Sequence, residues 1–273
     1  MDVQFVKRSS LKLFISGILL LSFVPMPSLN AQVPTEPIMV KIKGGTYIMG
    51  QNDGEGDERP EHLVEIEDFY IAKFEITVSE YREFCLATDR TMPKQPEWGW
   101  IDDHPIINTS WNDACDYIQW LNKRTGEDYR LPTEAEFEYV IRNGGEKGVY
   151  PWGKALPSNE NLADESFRAK TSRSGIWKNY YDGYAFTAPV GSFKPNKLGV
   201  CDINGNIWEW CSDWYGEYSD QKSKNPIGAT TGKHKVGRGA SYGTDPWHSR
   251  SASRAYVEPD FKRPGFRLAK DNE

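Results

Sequence analysis

Three parts of this 273-residue sequence have the residue types and spacing to do chemistry: four cysteines, one acidic loop and one stretch with a histidine and two arginines. Cys85, Cys115, Cys201 and Cys211 could supply thiolates, which are soft ligands suited to Cu(I), or they could form disulfides. The segment Asp202-Ile203-Asn204-Gly205-Asn206-Ile207-Trp208-Glu209 has a carboxylate at each end and a Gly-Asn turn between. That is the oxygen-rich type of loop calcium prefers, although Ile207 stands where an EF-hand needs glycine. His248 is a side chain with an unperturbed pKa near neutrality, so it reads as a base or ligand, or as a surface histidine. Arg250 and Arg254, four residues apart, would grip a carboxylate or sulfate, or else bridge to nearby acids.

The elements that must position these groups are only partly regular. Alternation at Ile38, Val40 and Ile42, then Tyr47 and Met49, flanks Gly44-Gly45 and predicts a strand, a turn and a strand. An acidic, Gly-containing loop from Gln51 to Glu61 follows. Leu63 to Ile71 then predicts another strand pair. Three helices are marked by their caps: Thr77 with Glu80, Ser110 before Asp113, and Thr133 with Glu136, the last ending at Gly144-Gly145. Trp111-Asn112-Asp113 superficially matches a sugar-binding calcium motif, but its place at the head of an apolar stripe favours capping. Beyond Tyr150 helical periodicity fades into Asn, Asp, Gly and Trp-rich loops, with short strands expected near 188–193, 207–212, 236–242 and 265–268.

Composition sets the limits. Charged residues make up 26%, aromatics 13% and the formal charge is -6, which argues against a polytopic membrane protein, a disordered chain and a nucleic-acid binder. Lys7, Arg8 and Lys12 precede a 12-residue apolar run, Leu13 to Val24, and then Pro25, Pro27 and Ala31. This is the layout of a signal peptide over residues 1–31, too short to span a bilayer, which needs about 20 residues. The expected product is exported, to the periplasm or outside the cell, with no membrane span after cleavage. In that oxidising setting the four cysteines could pair in three ways, which remain open.

A set of blocks then appears in order. Lys43 to Gly50 is followed by Arg59-Pro60-Glu61-His62, Phe74-Glu75-Ile76-Thr77 and Pro105 to Ala114. After these come Arg130 to Tyr139, Pro151-Trp152-Gly153, Gly205 to Trp210, Arg238 to Tyr242 and Gly265-Phe266-Arg267-Leu268. In order and spacing the chain resembles the formylglycine-generating enzyme, or sulfatase-modifying-factor, family. The resemblance implies one irregular α+β domain over residues 36–270, with little regular secondary structure and related to C-type lectins. It also implies two calcium sites. One would use the Asp202 and Glu209 side chains with the Gly205 and Ile207 carbonyls. The other would use Asn161, the Leu162 carbonyl, Asp182 and the Tyr184 carbonyl. In the family a cysteine pair that holds copper oxidises a substrate cysteine.

Here the corresponding interval, 243–264, contains no cysteine. The resemblance instead places Trp208, Ser241, Asp245, Trp247, His248, Arg250 and Arg254 around the pocket, with none assigned a definite catalytic role. The expectation is a calcium-stabilised binding or assembly module without copper, facing a protein, peptide or glycan partner outside the cytoplasm. The alternative is a periplasmic oxidoreductase, either generating formylglycine with relocated thiols or acting as a tailoring oxidase in the same pocket.

Overall fold

The computed structural model describes residues 36–272, and the expected leader over residues 1–31 lies outside the described residues. The first strands are β1 (Met39–Ile42), β2 (Gly45–Met49), β3 (His62–Ile66) and β4 (Phe69–Ala72). β1 does not pair with β2, nor β3 with β4. β1 runs antiparallel to β4 and β2 antiparallel to β3. Ile42 faces Phe69 and Gly45 faces Ile66, so one register continues through both pairs. The four strands are therefore one long hairpin, bent where Lys43-Gly44 lies opposite Glu67-Asp68. At the bend the Gly44 N–H donates to Asp68 Oδ1 at 2.9 Å. A Cβ on Gly44 would lie 2.2 Å from the Ile66 carbonyl oxygen, so only glycine lets the chains approach there.

The expected caps form. Helix α1 (Val78–Thr88) starts at Thr77, α2 (Trp111–Thr125) at Ser110 and α3 (Glu134–Ile141) at Thr133, each with a complete capping box. Trp111-Asn112-Asp113 is the first turn of α2, as capping required. A fourth helix, α4 (Glu165–Thr171), lies where periodicity had faded; its signal is Asp164, which accepts from the Phe167 N–H at 2.9 Å. The remaining strands are β5 (Glu209–Trp214), β6 (Ser223–Lys224), β7 (Lys235–Arg238), β8 (Ala255–Val257) and β9 (Ala269–Asp271). They complete three small sheets in the orders β1-β4-β9, β2-β3-β6 and β5-β7-β8.

The strands expected at 188–193 and 265–268 are absent from the described structure. The Ala188 N–H is taken by the Asn206 side chain at 2.9 Å instead of by a neighbouring strand. Gly265 makes a single parallel bridge to Glu209, in a passage so tight that a Cβ would lie 2.1 Å from the Ile106 carbonyl oxygen. In both places loop geometry and side chains satisfy backbone groups that a ladder would otherwise hold.

Two apolar clusters carry the fold. One packs the hairpin residues Tyr47, Met49, Val64 and Ile66 on Phe137, Val140 and Ile141 of α3. The other joins α1 and α2 through Tyr81, Phe84 and Tyr117 to Trp210, Phe266 and Leu268. Between α3 and β5 the buried Asp213 carboxylate accepts from the Glu134 N–H and the Ser212 hydroxyl, both at 2.9 Å. Burial, reinforced by the Glu134 charge, pushes this carboxyl up to about 7 from 3.8. The folded chain thus holds a proton that the unfolded chain releases, so this stability is present below about pH 4 and lost as pH rises through 7. Asp213→Asn keeps an acceptor for the Glu134 N–H. Its melting temperature should therefore gain on the parent's as pH is raised from 4 to 8, and a constant difference would contradict the assignment.

Candidate functional site

Loops between α1 and α2, before β5, after β7 and after β8 leave an open cleft of about 860 Å³, within the roughly 300–1,000 Å³ range of small-ligand sites. One wall is residues 94–98, another is 241–248, and the chain from Val257 to Pro264 closes the third side. Its aromatic surface comes from Trp98, Trp208, Tyr242 and Phe261. Trp98 is stacked on Phe186 with ring centroids 4.3 Å apart, and Tyr242 meets it edge-on at 5.5 Å. Trp208 is fixed by donation from Nε1 to Thr244 Oγ1 at 2.8 Å.

Ser241 lines the cleft, but its hydroxyl is engaged locally. It lies 3.0 Å from Thr244 Oγ1 and accepts from the Gly243 N–H at 3.3 Å. Among the described residues no imidazole or carboxylate is hydrogen-bonded to it, so the base that would activate a serine nucleophile is not in place. His248 also lines the cleft, half exposed, with Nδ1 2.9 Å from Asp245 Oδ2. Partial burial works against the Asp245 charge. Hydrogen bonds from the His248 ring and from the Trp247 and His248 N–H groups outweigh it and hold the carboxyl below its ordinary range. The pair gives one imidazole nitrogen a fixed partner and leaves the other for a ligand.

Three sequence-predicted pocket residues lie elsewhere. Arg250 is fully buried and forks onto Glu58, with contacts of 2.5 and 2.7 Å. Arg254 forks onto Glu134 at 2.6 and 2.7 Å, covered by the Tyr218 ring 3.9 Å away. Trp247 lies over the Arg250 guanidinium at 4.1 Å and donates to Glu55. The guanidinium groups thus serve the interior and do not line the cleft. Proximity in sequence to His248 misplaced them, because the 3-10 turn at Trp247–Ser249 sends successive side chains in different directions.

The cleft's cations are instead Lys94, Arg173, Lys262 and Arg263, set against Glu97 and Asp245. Sequence reasoning missed all four, since they come from three distant segments and share no local motif. Lys94, Arg173 and Arg263 have no carboxylate within 4.0 Å among the described residues, and Lys262 has only Asp113, at 3.8 Å.

All four cysteines are free thiols and none lines the cleft. Burial raises each thiol pKa, to about 11 at Cys115 and Cys201 and well above the ordinary value at Cys211.

Among the candidate calcium donors, Asp182 is tied to the Leu162 and Tyr184 backbone. Asp182 accepts from the Leu162 N–H at 3.0 Å and the Tyr184 N–H at 2.7 Å, while burial pushes its carboxyl up to about 7. Asn161 beside it is buried, and its Oδ1 has no hydrogen-bond partner. An orphaned carbonyl oxygen beside a partly desolvated carboxyl is a donor set that fits an oxygen-seeking cation. The Asn161 Nδ2 group donates to Asn206 Oδ1 at 3.1 Å, and Asn206 donates in turn to Glu75 Oε1 at 3.1 Å. Through Asn206 this set reaches the second, where Arg267 pairs with Glu209 at 2.7 Å, lies 3.9 Å from Glu75 and feels the charge of Asp202. Three carboxylates against one cation leave excess negative charge, and burial raises Asp202 to about 6. Both Glu209 oxygens already accept from Arg267, at 2.7 and 2.8 Å, so Glu209 would join a metal only by giving up one of them. Among the described residues no three His, Cys, Asp or Glu side chains form a metal-binding group, so either set depends on carbonyl donors.

The reassignment of the arginines has a measurable consequence. Arg250→Ala leaves Glu58 charged and buried without a partner, a loss of about 3–5 kcal/mol in denaturant unfolding. Arg173→Ala, at the exposed cleft wall, should change stability by less than about 0.5 kcal/mol. Equal effects would return Arg250 to the cleft.

Residues 26–272 match the model of the sulfatase-modifying factor enzyme 1-like domain. The chain is 30% identical to the formylglycine-generating enzyme of Bos taurus, over 90% of this chain and 78% of that protein. It is 26% identical to the inactive C-alpha-formylglycine-generating enzyme 2 of Mus musculus, over 72% and 76%. Among solved structures, PvdO from Pseudomonas aeruginosa superposes with a TM-score of 0.71 and 28% identity, covering 86% of this chain and 95% of that one. The expected α+β fold, present here as four helices and three small sheets among the described residues, is thus shared with PvdO. With its fold, its ordered blocks and its matched length in agreement, this chain belongs to the sulfatase-modifying-factor family.

Proposed function

We propose that this protein is an exported binding or assembly module of the family that does not carry out copper-dependent oxidation of a substrate cysteine. The observation that carries the reading is the cleft itself: it is lined with aromatic rings and cations and with no thiol. Copper chemistry of this kind needs two soft ligands at the substrate, and the four thiols lie outside the cleft with raised pKa values. Export is supported by the basic, apolar and small-residue order of residues 1–31. The partner would be a protein, peptide or glycan met outside the cytoplasm. Among the described residues no helix is long and apolar enough to cross a membrane.

One observation favours a second reading, an oxidoreductase working in the same cleft. The Asp245–His248 pair presents a positioned proton acceptor beside Trp208 and Ser241. One assay separates the two. With copper, oxygen and a Cys-X-Pro-X-Arg peptide, mass spectrometry should find no aldehyde product. Turnover lost in Cys201→Ser or Cys211→Ser would overturn the proposal in favour of thiol chemistry. Turnover lost only in His248→Ala would favour the second reading.

Calcium is proposed as a structural ion at Asn161, the Leu162 carbonyl, Asp182 and the Tyr184 carbonyl. The Asp202, Gly205, Ile207 and Glu209 set is a second location, subject to the competition from Arg267. Calcium would supply positive charge to loops that lack hydrogen-bond ladders. An ion at 100 times its dissociation constant stabilises the folded state by about 2.7 kcal/mol. Excess EGTA should therefore lower the melting temperature, and Asn161→Ala should remove most of that sensitivity. An identical melting curve with and without EGTA would exclude the ion.

A further inference from the structure

We infer that the cleft takes an acidic peptide segment whose carboxylates alternate with flat apolar side chains; this rests on the binding reading above and specifies its ligand. The charge on the whole chain is -6, yet the cleft wall carries four cations and two anions. One of those anions, Asp245, is already occupied by His248 and by two backbone N–H groups. The cations are exposed, and three have no carboxylate within 4.0 Å among the described residues. A basic patch kept free on an acidic protein is charge complementarity for an anion.

Cations alone would fit any small anion, and the aromatic surface narrows the choice. Trp98 is held rigid by its stack on Phe186 and its edge contact with Tyr242. Phe261, between the cleft and solvent, is 48% exposed. Rigid aromatic rings interleaved with guanidinium groups are the anchors of protein recognition sites. The cations come from three separate segments, at 94, 173 and 262–263, that line one cleft of about 860 Å³. A ligand with several carboxylates on an extended backbone can fill that volume, whereas a single sulfate or phosphate leaves most of it empty. A substrate peptide carrying arginine would meet like charge here.

The test uses two fluorescent hexapeptides, one alternating glutamate with phenylalanine and the other lysine with phenylalanine. Fluorescence polarisation on the intact protein should show the acidic peptide binding at least about tenfold more tightly, with affinity falling as salt is raised. The double variant Arg173→Glu, Arg263→Glu changes only exposed side chains and should weaken the acidic peptide by about tenfold while its melting temperature stays unchanged. Trp98→Ala should weaken it as well. Equal binding of the two peptides overturns the acidic class, as does indifference to the double reversal. If Trp98→Ala then still removes binding, the cleft remains a binding site and only the ligand class fails. Absence of acidic-peptide binding also overturns the inference, whereas the binding-module reading itself fails only on aldehyde turnover.

Discussion

Arg267 is the contact on which the loop-built half of the molecule depends. Its guanidinium is fully buried and donates twice to Glu209, at the head of β5. A further N–H group donates to the Cys201 carbonyl at 3.0 Å and lies 3.3 Å from the Ala72 carbonyl. One side chain therefore ties the chain's C-terminal passage to the end of β4, the 199–206 loop and β5. Its neighbours on either side, Phe266 and Leu268, enter the helix cluster, so the charged fork and the apolar anchors act at one place. Loops crossing at such a point have carbonyls that no ladder can satisfy, and a five-donor fork is the side chain best suited to them.

The same device recurs. Glu138 is bracketed by Arg142 and Arg238, Glu134 takes Arg254, and Glu58 takes Arg250. Each pair incurs desolvation that its attraction only roughly offsets, so their value lies less in net stability than in fixed geometry. Removing one partner is a different matter, because an isolated buried charge remains. These pairs also change the meaning of the overall charge. Glu58, Glu75, Glu134, Glu138, Asp202, Glu209 and Asp213 are all buried, so part of the chain's acidity never reaches solvent. A formal -6 is then compatible with a cleft whose exposed charge is positive.

What was legible in the sequence was local. Capping boxes at Thr77, Ser110 and Thr133 act over three residues, and the helices they start are where they were expected. The bent hairpin was harder to read: β1 to β4 were visible as apolar alternation, but their pairing depends on a register that spans the acidic loop. The ordered blocks carried the fold, because in a domain with few ladders the residues that pin loops are themselves the pattern. The site was less legible. Trp208, Ser241 and His248 line the cleft, whereas Arg250 and Arg254 turn inward to carboxylates 192 and 120 residues away. Lys94 and Arg173 reach the cleft from segments with no periodicity to mark them. A one-dimensional reading can identify a charged side chain but not the face on which its partner waits.

That division explains how one scaffold can keep its shape while its chemistry changes. The side chains that fasten the loops, Arg267 with Glu209 and Asn206 between Asn161 and Glu75, are buried and hydrogen-bonded to one another. The side chains that line the cleft, among them Trp98, Arg173, Phe261 and Arg263, are exposed or only half-buried. Within the 243–264 interval the two roles alternate: Arg250 and Arg254 fork inward onto Glu58 and Glu134, whereas Asp245, His248 and Phe261 line the cleft. The Thr244 hydroxyl illustrates the boundary: it receives the Trp208 indole N–H and the Ser241 N–H, holding the cleft's inner wall. Positioning belongs to the buried layer, so the exposed layer can be rewritten without dismantling it.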